Sequence, residues 1–74
     1  MTTNFTEINF SPFASNVLDY VNAEGLQTIR GEKVTISRDR LEFVITVDGK
    51  EAGRTDDNLS ASYILNSMEV GLVT

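Results

Sequence analysis

The 74-residue sequence predicts an α+β fold, a two-layer sandwich in which two helices cover one face of an antiparallel sheet. Apolar residues recur at helical spacing after Ser11-Pro12 and again after Asp56. Between these two segments the apolar period becomes two, and Asp48-Gly49 marks a tight hairpin. The predicted element order is therefore α-β-β-β-α, with three strands in one sheet.

The first helix is predicted over residues 12–24. Ser11 is a favoured N-cap residue, and Pro12 at the first helical position gives up no hydrogen bond that the helix needs. Gly25 suits the position just after a helix C-terminus. The apolar stripe of this helix would contain Phe13, Ala14, Val17, Leu18, Tyr20 and Val21.

A three-stranded antiparallel meander is predicted over residues 33–55, with residues 26–30 as an alternative fourth strand. The clearest strand is the alternating run from Leu41 to Val47. A type I′ turn at Asp48-Gly49 would continue this run into a hairpin. The expected pairs across that hairpin are Val47 with Lys50, Ile45 with Ala52, and Phe43 with Arg54.

The last helix is expected to begin at Asp56, Asp57 or Asn58, because these side chains cap helices and the acids suit the positive end of the helix dipole. Gly71 is expected to end it. The apolar stripe that would face the sheet contains Ala61, Ile64, Leu65, Met68 and Leu72.

The opposite face of that helix is interpreted as a partner-binding surface. On a helical wheel it carries Leu59, Tyr63 and Val70, with Asn66 between them. Interfaces are depleted in charge and enriched in Tyr, which fits this Ser- and Asn-rich helix. Asp56 and Asp57 at the helix start complete the predicted surface. The alternatives are that residues 1–10 fold over this face, or that its terminal residues lie under loops.

Length and composition predict the domain organisation and the kinds of functional site that the chain lacks. Residues 1–10 are assigned to an extended arm with Phe5, Ile8 and Phe10 as anchors, and residues 11–74 to one α+β domain. The chain has no Cys and no His, so we expect no disulfide, no catalytic residues and no cofactor. No acid spacing resembles a calcium loop, so we expect no metal site, with a Mg²⁺ site made of carboxylates alone as the alternative. The first ten residues lack a basic start and a long apolar run, so we expect no signal peptide and a cytoplasmic protein.

The charges are distributed unevenly along the chain. All six basic residues lie between Arg30 and Arg54, whereas residues 1–29 and 55–74 carry only acids. The net charge of −5 argues against nonspecific binding to nucleic acid or to an anionic membrane, and it is compatible with a protein partner that has a basic surface. The alternative is a nucleic-acid-binding turn formed by Lys33, Arg38 and Arg40.

Two resemblances bear on function. The stretch from Phe43 to Gly53 looks like the second and third strands of a double-stranded-RNA-binding domain, and Leu18-Asp19-Tyr20 resembles that family's first-helix motif. The lysine pair that opens the family's last helix is replaced here by Asp56-Asp57. The resemblance therefore implies a version of the fold that is used for protein contacts.

By size and acidity the chain also resembles small phage-encoded proteins that inhibit host complexes, including anti-CRISPR proteins. We therefore expect a non-catalytic interaction protein, most specifically an inhibitor of a host nucleic-acid-handling complex that acts in the host cytoplasm. The alternatives are a double-stranded-RNA-binding-domain-like module that uses the basic turn at 33–40, and a homodimeric structural subunit.

Overall fold

The computed structural model of the protein describes residues 4–14 and 16–73. Within these ranges six strands form two antiparallel three-stranded sheets, one ordered β1-β6-β2 and the other β3-β4-β5. One α-helix and one 3₁₀ helix complete the fold. The element bounds are β1 Phe5–Glu7, the 3₁₀ helix Asn16–Tyr20, β2 Leu26–Gln27, β3 Val34–Asp39, β4 Glu42–Val47, β5 Lys50–Thr55, α1 Asn58–Ser67 and β6 Gly71–Val73.

The α+β class is confirmed, but the prediction of two helices on a single sheet is wrong. A turn and the short 3₁₀ helix replace the helix that was expected over residues 12–24. Polar side chains bind the backbone here: Asn16 Oδ1 accepts from the Ser11 N–H at 3.1 Å, and Ser11 Oγ accepts from the Phe13 N–H at 3.2 Å. Such local bonds give the backbone an alternative to helical hydrogen bonding.

The meander over 33–55 is confirmed, and so is the hairpin at Asp48-Gly49. Both turn residues have positive φ, 50° and 82°, as a type I′ turn requires. Asp48 also ties the turn to the start of β3, because its Oδ1 accepts from the Lys33 N–H at 3.0 Å and its N–H donates to the Lys33 carbonyl at 2.8 Å. The first expected pair, Val47 with Lys50, is present.

The rest of the predicted β4–β5 register is wrong by one residue, because β5 contains a bulge at Ala52. Gly53 now pairs with Ile45 and faces α1, where a Cβ on residue 53 would lie 2.9 Å from Ile64 Cδ1. The bulge thus places a glycine where β5 faces Ile64 of α1, and it turns Arg54 to the opposite face. The observed pairs beyond the bulge are Ile45 with Gly53, Val44 with Arg54, and Phe43 with Thr55.

The alternative fourth strand does not join the meander. Leu26 and Gln27 pair instead with β6, and a single bridge between Gln27 and Lys33 links them to the meander. On its other side β6 pairs with β1 through Phe5–Glu7. The β1-β6-β2 sheet therefore pairs a strand near the start of the sequence with a strand near its end.

Gly71 does not end the helix, contrary to the prediction. Helix α1 ends at Ser67 in a Schellman motif: the Glu69 N–H donates to the Asn66 carbonyl at 3.1 Å, and the Val70 N–H donates to the Leu65 carbonyl at 3.4 Å. Glu69 takes the left-handed position, with a φ of 54°. Gly71 then enters β6.

The core lies among the two sheets, α1 and the 3₁₀ helix. Buried side chains come from the 3₁₀ helix, β2, β3, β4 and α1, and from the residue before β6. Its buried apolar members are Phe10, Val17, Leu26, Val34, Ile36, Phe43, Ile45, Ala61, Leu65 and Val70.

Replacing Glu69 with Gly should stabilise the protein. A residue with a Cβ in the left-handed region costs about 1 kcal/mol relative to Gly, so Glu69→Gly is expected to raise the free energy of unfolding by about that amount. Urea denaturation followed by circular dichroism measures the change. Glu69→Ala removes the same charge but keeps the Cβ and should give no such gain; equal gains in both variants would contradict this account.

Candidate interaction surface

Asp57 fixes the start of α1. Its side chain accepts from the Leu59 N–H at 3.2 Å and from the Ser60 hydroxyl at 3.1 Å, so it is the N-cap among the three residues that the sequence offered. Asp56 lies beside it and is exposed. The helix that follows, Asn58–Ser67, contains no charged residue.

The segment before the 3₁₀ helix is held against the first turns of α1. Asn58 Nδ2 donates to the Ala14 carbonyl at 3.0 Å and to the Pro12 carbonyl at 3.5 Å. Ser62 Oγ donates to the Ser11 carbonyl at 3.1 Å. The loop is therefore fixed to the helix on both sides of Phe13.

Phe13 itself projects from this fixed loop. Its side chain is 95% exposed, the largest value among the exposed apolar residues that the structure describes. The helical spacing of the apolar residues predicts Phe13 in a buried stripe, and this prediction is wrong. The Ser11-Pro12 pair followed by Asn16 was the available signal, since these residues form turns as readily as they begin helices.

Three exposed apolar side chains lie on α1 and on the loop that is hydrogen bonded to it: Phe13, Leu59 at 39% exposure and Tyr63 at 63%. Leu59 directly follows Asn58, the residue bonded to both neighbours of Phe13, and Tyr63 lies one turn further along α1. We call these three residues the docking patch. Asp56 and Asp57 flank it at the helix start.

The other two residues of the predicted surface lie elsewhere. Asn66 is occupied by the N-terminal segment: its Oδ1 accepts from the Phe10 N–H at 2.9 Å and its Nδ2 donates to the Phe10 carbonyl at 2.7 Å. Val70 is fully buried in the core. The helical wheel misplaced Val70 because the helix ends at Ser67, so helical geometry does not extend to residue 70.

A network of ion pairs covers the outer face of the meander. Arg54 contacts one acid on each strand, with N···O distances of 2.8 Å to Asp39, 3.3 Å to Glu42 and 2.9 Å to Glu51. Hydrogen bonds to Glu51, Asp39 and Glu42 raise the pKa of the Arg54 guanidinium above its usual value. Because these side chains are largely solvated, the network contributes little to stability and mainly orders the sheet surface.

The basic residues of the alternative nucleic-acid site do not form one patch. Lys33 precedes β3, whereas Arg40 lies in the turn after it, seven residues or roughly 23 Å away along an extended chain. Arg38 stacks on the Phe43 ring at 4.3 Å and donates to the Leu41 carbonyl at 3.2 Å. Because these basic residues are separated, nucleic-acid binding has less structural support than protein binding through the docking patch.

Residues 4–14 and 16–73 contain no helix that is long and apolar enough to cross a membrane. Across the same residues, no three Asp or Glu side chains are grouped in a way that could hold a metal ion. No protein-family model, curated protein or solved structure matches this chain. The function is therefore inferred from the surface just described.

Proposed function

We propose that this chain is a non-catalytic interaction protein that binds a protein partner through the docking patch, with Phe13 as its main anchor. The observation that carries the proposal is that Phe13 is almost wholly exposed on a loop that hydrogen bonds fix on both sides. Aromatic anchors supply a large part of binding energy when they fill a pocket. A loop that is already ordered loses little conformational entropy when it binds.

The charges beside the patch define the partner's chemistry. Asp56 and Asp57 flank the apolar side chains, and the whole chain carries a net charge of −5. Complementary charge speeds association and selects partners. We therefore expect the partner protein to present an apolar pocket with basic residues at its rim. Proteins that handle nucleic acids carry basic surfaces for the phosphate backbone. More specifically, this chain inhibits such a host complex. It is encoded by a phage or another mobile element and acts in the host cytoplasm.

Replacing Phe13 with Ser should remove most of the binding. A tagged chain is used to recover partners from a nuclease-treated extract of the host cell, and Phe13→Ser is expected to lower the recovered partner at least about tenfold. Leu41→Ser is the matched control, because Leu41 is 76% exposed but lies outside the patch, in the turn between β3 and β4.

Two results would overturn this proposal. Equal recovery by the wild type and Phe13→Ser would exclude the docking patch as the binding surface. A partner that is recovered from an untreated extract but not from the nuclease-treated one would assign the interaction to nucleic acid, and Lys33, Arg38 and Arg40 would then be the residues to replace.

A further inference from the structure

We propose that Asn58 and Ser62 are positioning residues that keep the docking patch open by holding the ring of Phe13 away from its apolar neighbours. The inference rests on the proposed function and adds regulation to the same surface, because a partner binds the ring only while it stands free. Its first test needs no partner and uses the isolated chain.

The exposed ring of Phe13 is in an unfavourable state for an apolar side chain. It is 95% exposed, although Leu59 directly follows the residue that contacts both of its neighbours. Apolar groups in water gain free energy when they cover one another, so a free loop would lay this ring over Leu59 and Tyr63. The hydrogen bonds between the loop backbone and α1 oppose this closed arrangement.

A stripe of polar side chains on α1 makes these hydrogen bonds. Asn58, Ser62 and Asn66 are spaced by four residues, so they lie one above another on one side of the helix. Asn66 holds the backbone of Phe10, whose side chain is buried in the core. The other two members of the stripe hold the part of the segment that carries Phe13.

Asn58 makes the stronger contact of these two. Its Nδ2 atom carries two N–H groups and donates to the carbonyls of Ala14 at 3.0 Å and Pro12 at 3.5 Å, on either side of the exposed ring. The Ser62 hydroxyl has one proton, which is shared between the carbonyls of Ser11 at 3.1 Å and Asn58 at 2.9 Å. Replacing Asn58 should therefore release the loop more than replacing Ser62.

The remaining contacts of the loop are internal. Ser11 Oγ accepts from the Phe13 N–H at 3.2 Å, and the ring of Pro12 fixes its own φ. These features shape the turn but do not connect it to α1. Loss of the contacts to Asn58 and Ser62 would therefore allow the turn to rotate as a unit onto the helix.

Replacing Asn58 with Asp tests this role without removing the start of α1. A carboxylate has no N–H to donate and repels the two loop carbonyls, whereas a negative charge in the first turn of a helix is favourable. In NMR relaxation of the isolated chain, the order parameter of the Phe13 amide should fall from about 0.85, typical of rigid backbone, to below about 0.6 in Asn58→Asp. Nuclear Overhauser effects from the Phe13 ring to the Leu59 side chain should appear in the variant.

Ser60→Asp is the matched control for the added charge. It places the same charge in the first turn of α1, but the Ser60 hydroxyl contacts Asp57 rather than the loop. The order parameter of Phe13 and the contacts of its ring should therefore stay as in the wild type.

Binding then measures the consequence for the docking patch. When only a fraction of the molecules is open, the apparent Kd rises by the inverse of that fraction, and Asn58→Asp should raise the Kd for the recovered partner about tenfold. Ser60→Asp should not raise it.

Three outcomes separate this inference from the proposed function. A Phe13 amide that stays rigid in Asn58→Asp would overturn the inference. A released loop with unchanged affinity would also overturn it and would leave the proposed function standing. Full recovery of the partner by Phe13→Ser would overturn the proposed function instead, whereas release of the loop in Asn58→Asp would still support the hold of Asn58 on the ring.

Discussion

Replacing Phe10 with Ala is expected to lower the free energy of unfolding by about 3–5 kcal/mol, the usual cost of removing a buried aromatic ring. Phe10 has no exposed surface, and its ring meets Tyr20 edge to face at a centroid distance of 5.5 Å. A domain of this length has a total stability of only about 4–11 kcal/mol. Phe10→Ala should therefore be partly or largely unfolded at 37 °C, as urea titration and thermal melts would show.

Phe13→Ala is the matched control for this prediction. It makes the same chemical change three residues further along, but at a side chain that is 95% exposed. Its effect on stability should stay within about 0.5 kcal/mol, as for surface substitutions in general. A cost similar to that of Phe10→Ala would mean that the Phe13 ring packs against the fold, and it would also remove the basis of the docking patch.

The parts of the fold that local chemistry determines could be predicted from the sequence. The Asp48-Gly49 turn needs positive φ at adjacent residues, and few residue pairs other than Asp-Gly and Asn-Gly supply it. The cap at Asp57 depends on a carboxylate next to the first helical N–H groups. Both features act over fewer than five residues, and both are present in the structure.

The β1-β6-β2 sheet depends on long-range contacts that no local sequence pattern predicts. Its strands have only two or three residues, too few to display an alternating period. Phe5 pairs with Val73, almost the full length of the chain away. The helix predicted over residues 12–24 failed for a related reason: its apolar spacing was helical, but the side chains of Ser11 and Asn16 bind the backbone in a non-helical turn.

The candidate surface also contains residues whose position the local sequence predicts and residues whose position it does not. Leu59 and Tyr63 were placed correctly on an outward helix face because α1 is regular from Asn58 to Ser67. Val70 was misplaced because the wheel was extended beyond the true helix end. Phe13 was missed because its exposure depends on Asn58, 45 residues away in the sequence, which holds the loop by its flanking carbonyls.

Replacing Gly71 with Ala should cost about 3 kcal/mol, at the upper end of the range for overpacking. A Cβ on residue 71 would collide with the Thr6 carbonyl oxygen and would lie 2.7 Å from Phe5 Cζ. Gly71 belongs to β6, which is hydrogen bonded to β1 on one side and β2 on the other, so the strand cannot shift to relieve the contact. The urea midpoint should fall, and amide exchange in residues 5–7 should accelerate.

Gly53→Ala is the control that separates a backbone collision from general crowding. The nearest atom to a Cβ at residue 53 is Ile64 Cδ1 at 2.9 Å, the end of a flexible side chain that can rotate away. We expect a cost of about 1 kcal/mol for Gly53→Ala, with no acceleration of exchange in residues 5–7. If Gly71→Ala unfolded at the same urea concentration as the wild type, β1 could not lie against β6. The N-terminal segment would then lack the pairing that leads the chain to Phe10 and to the loop that carries Phe13.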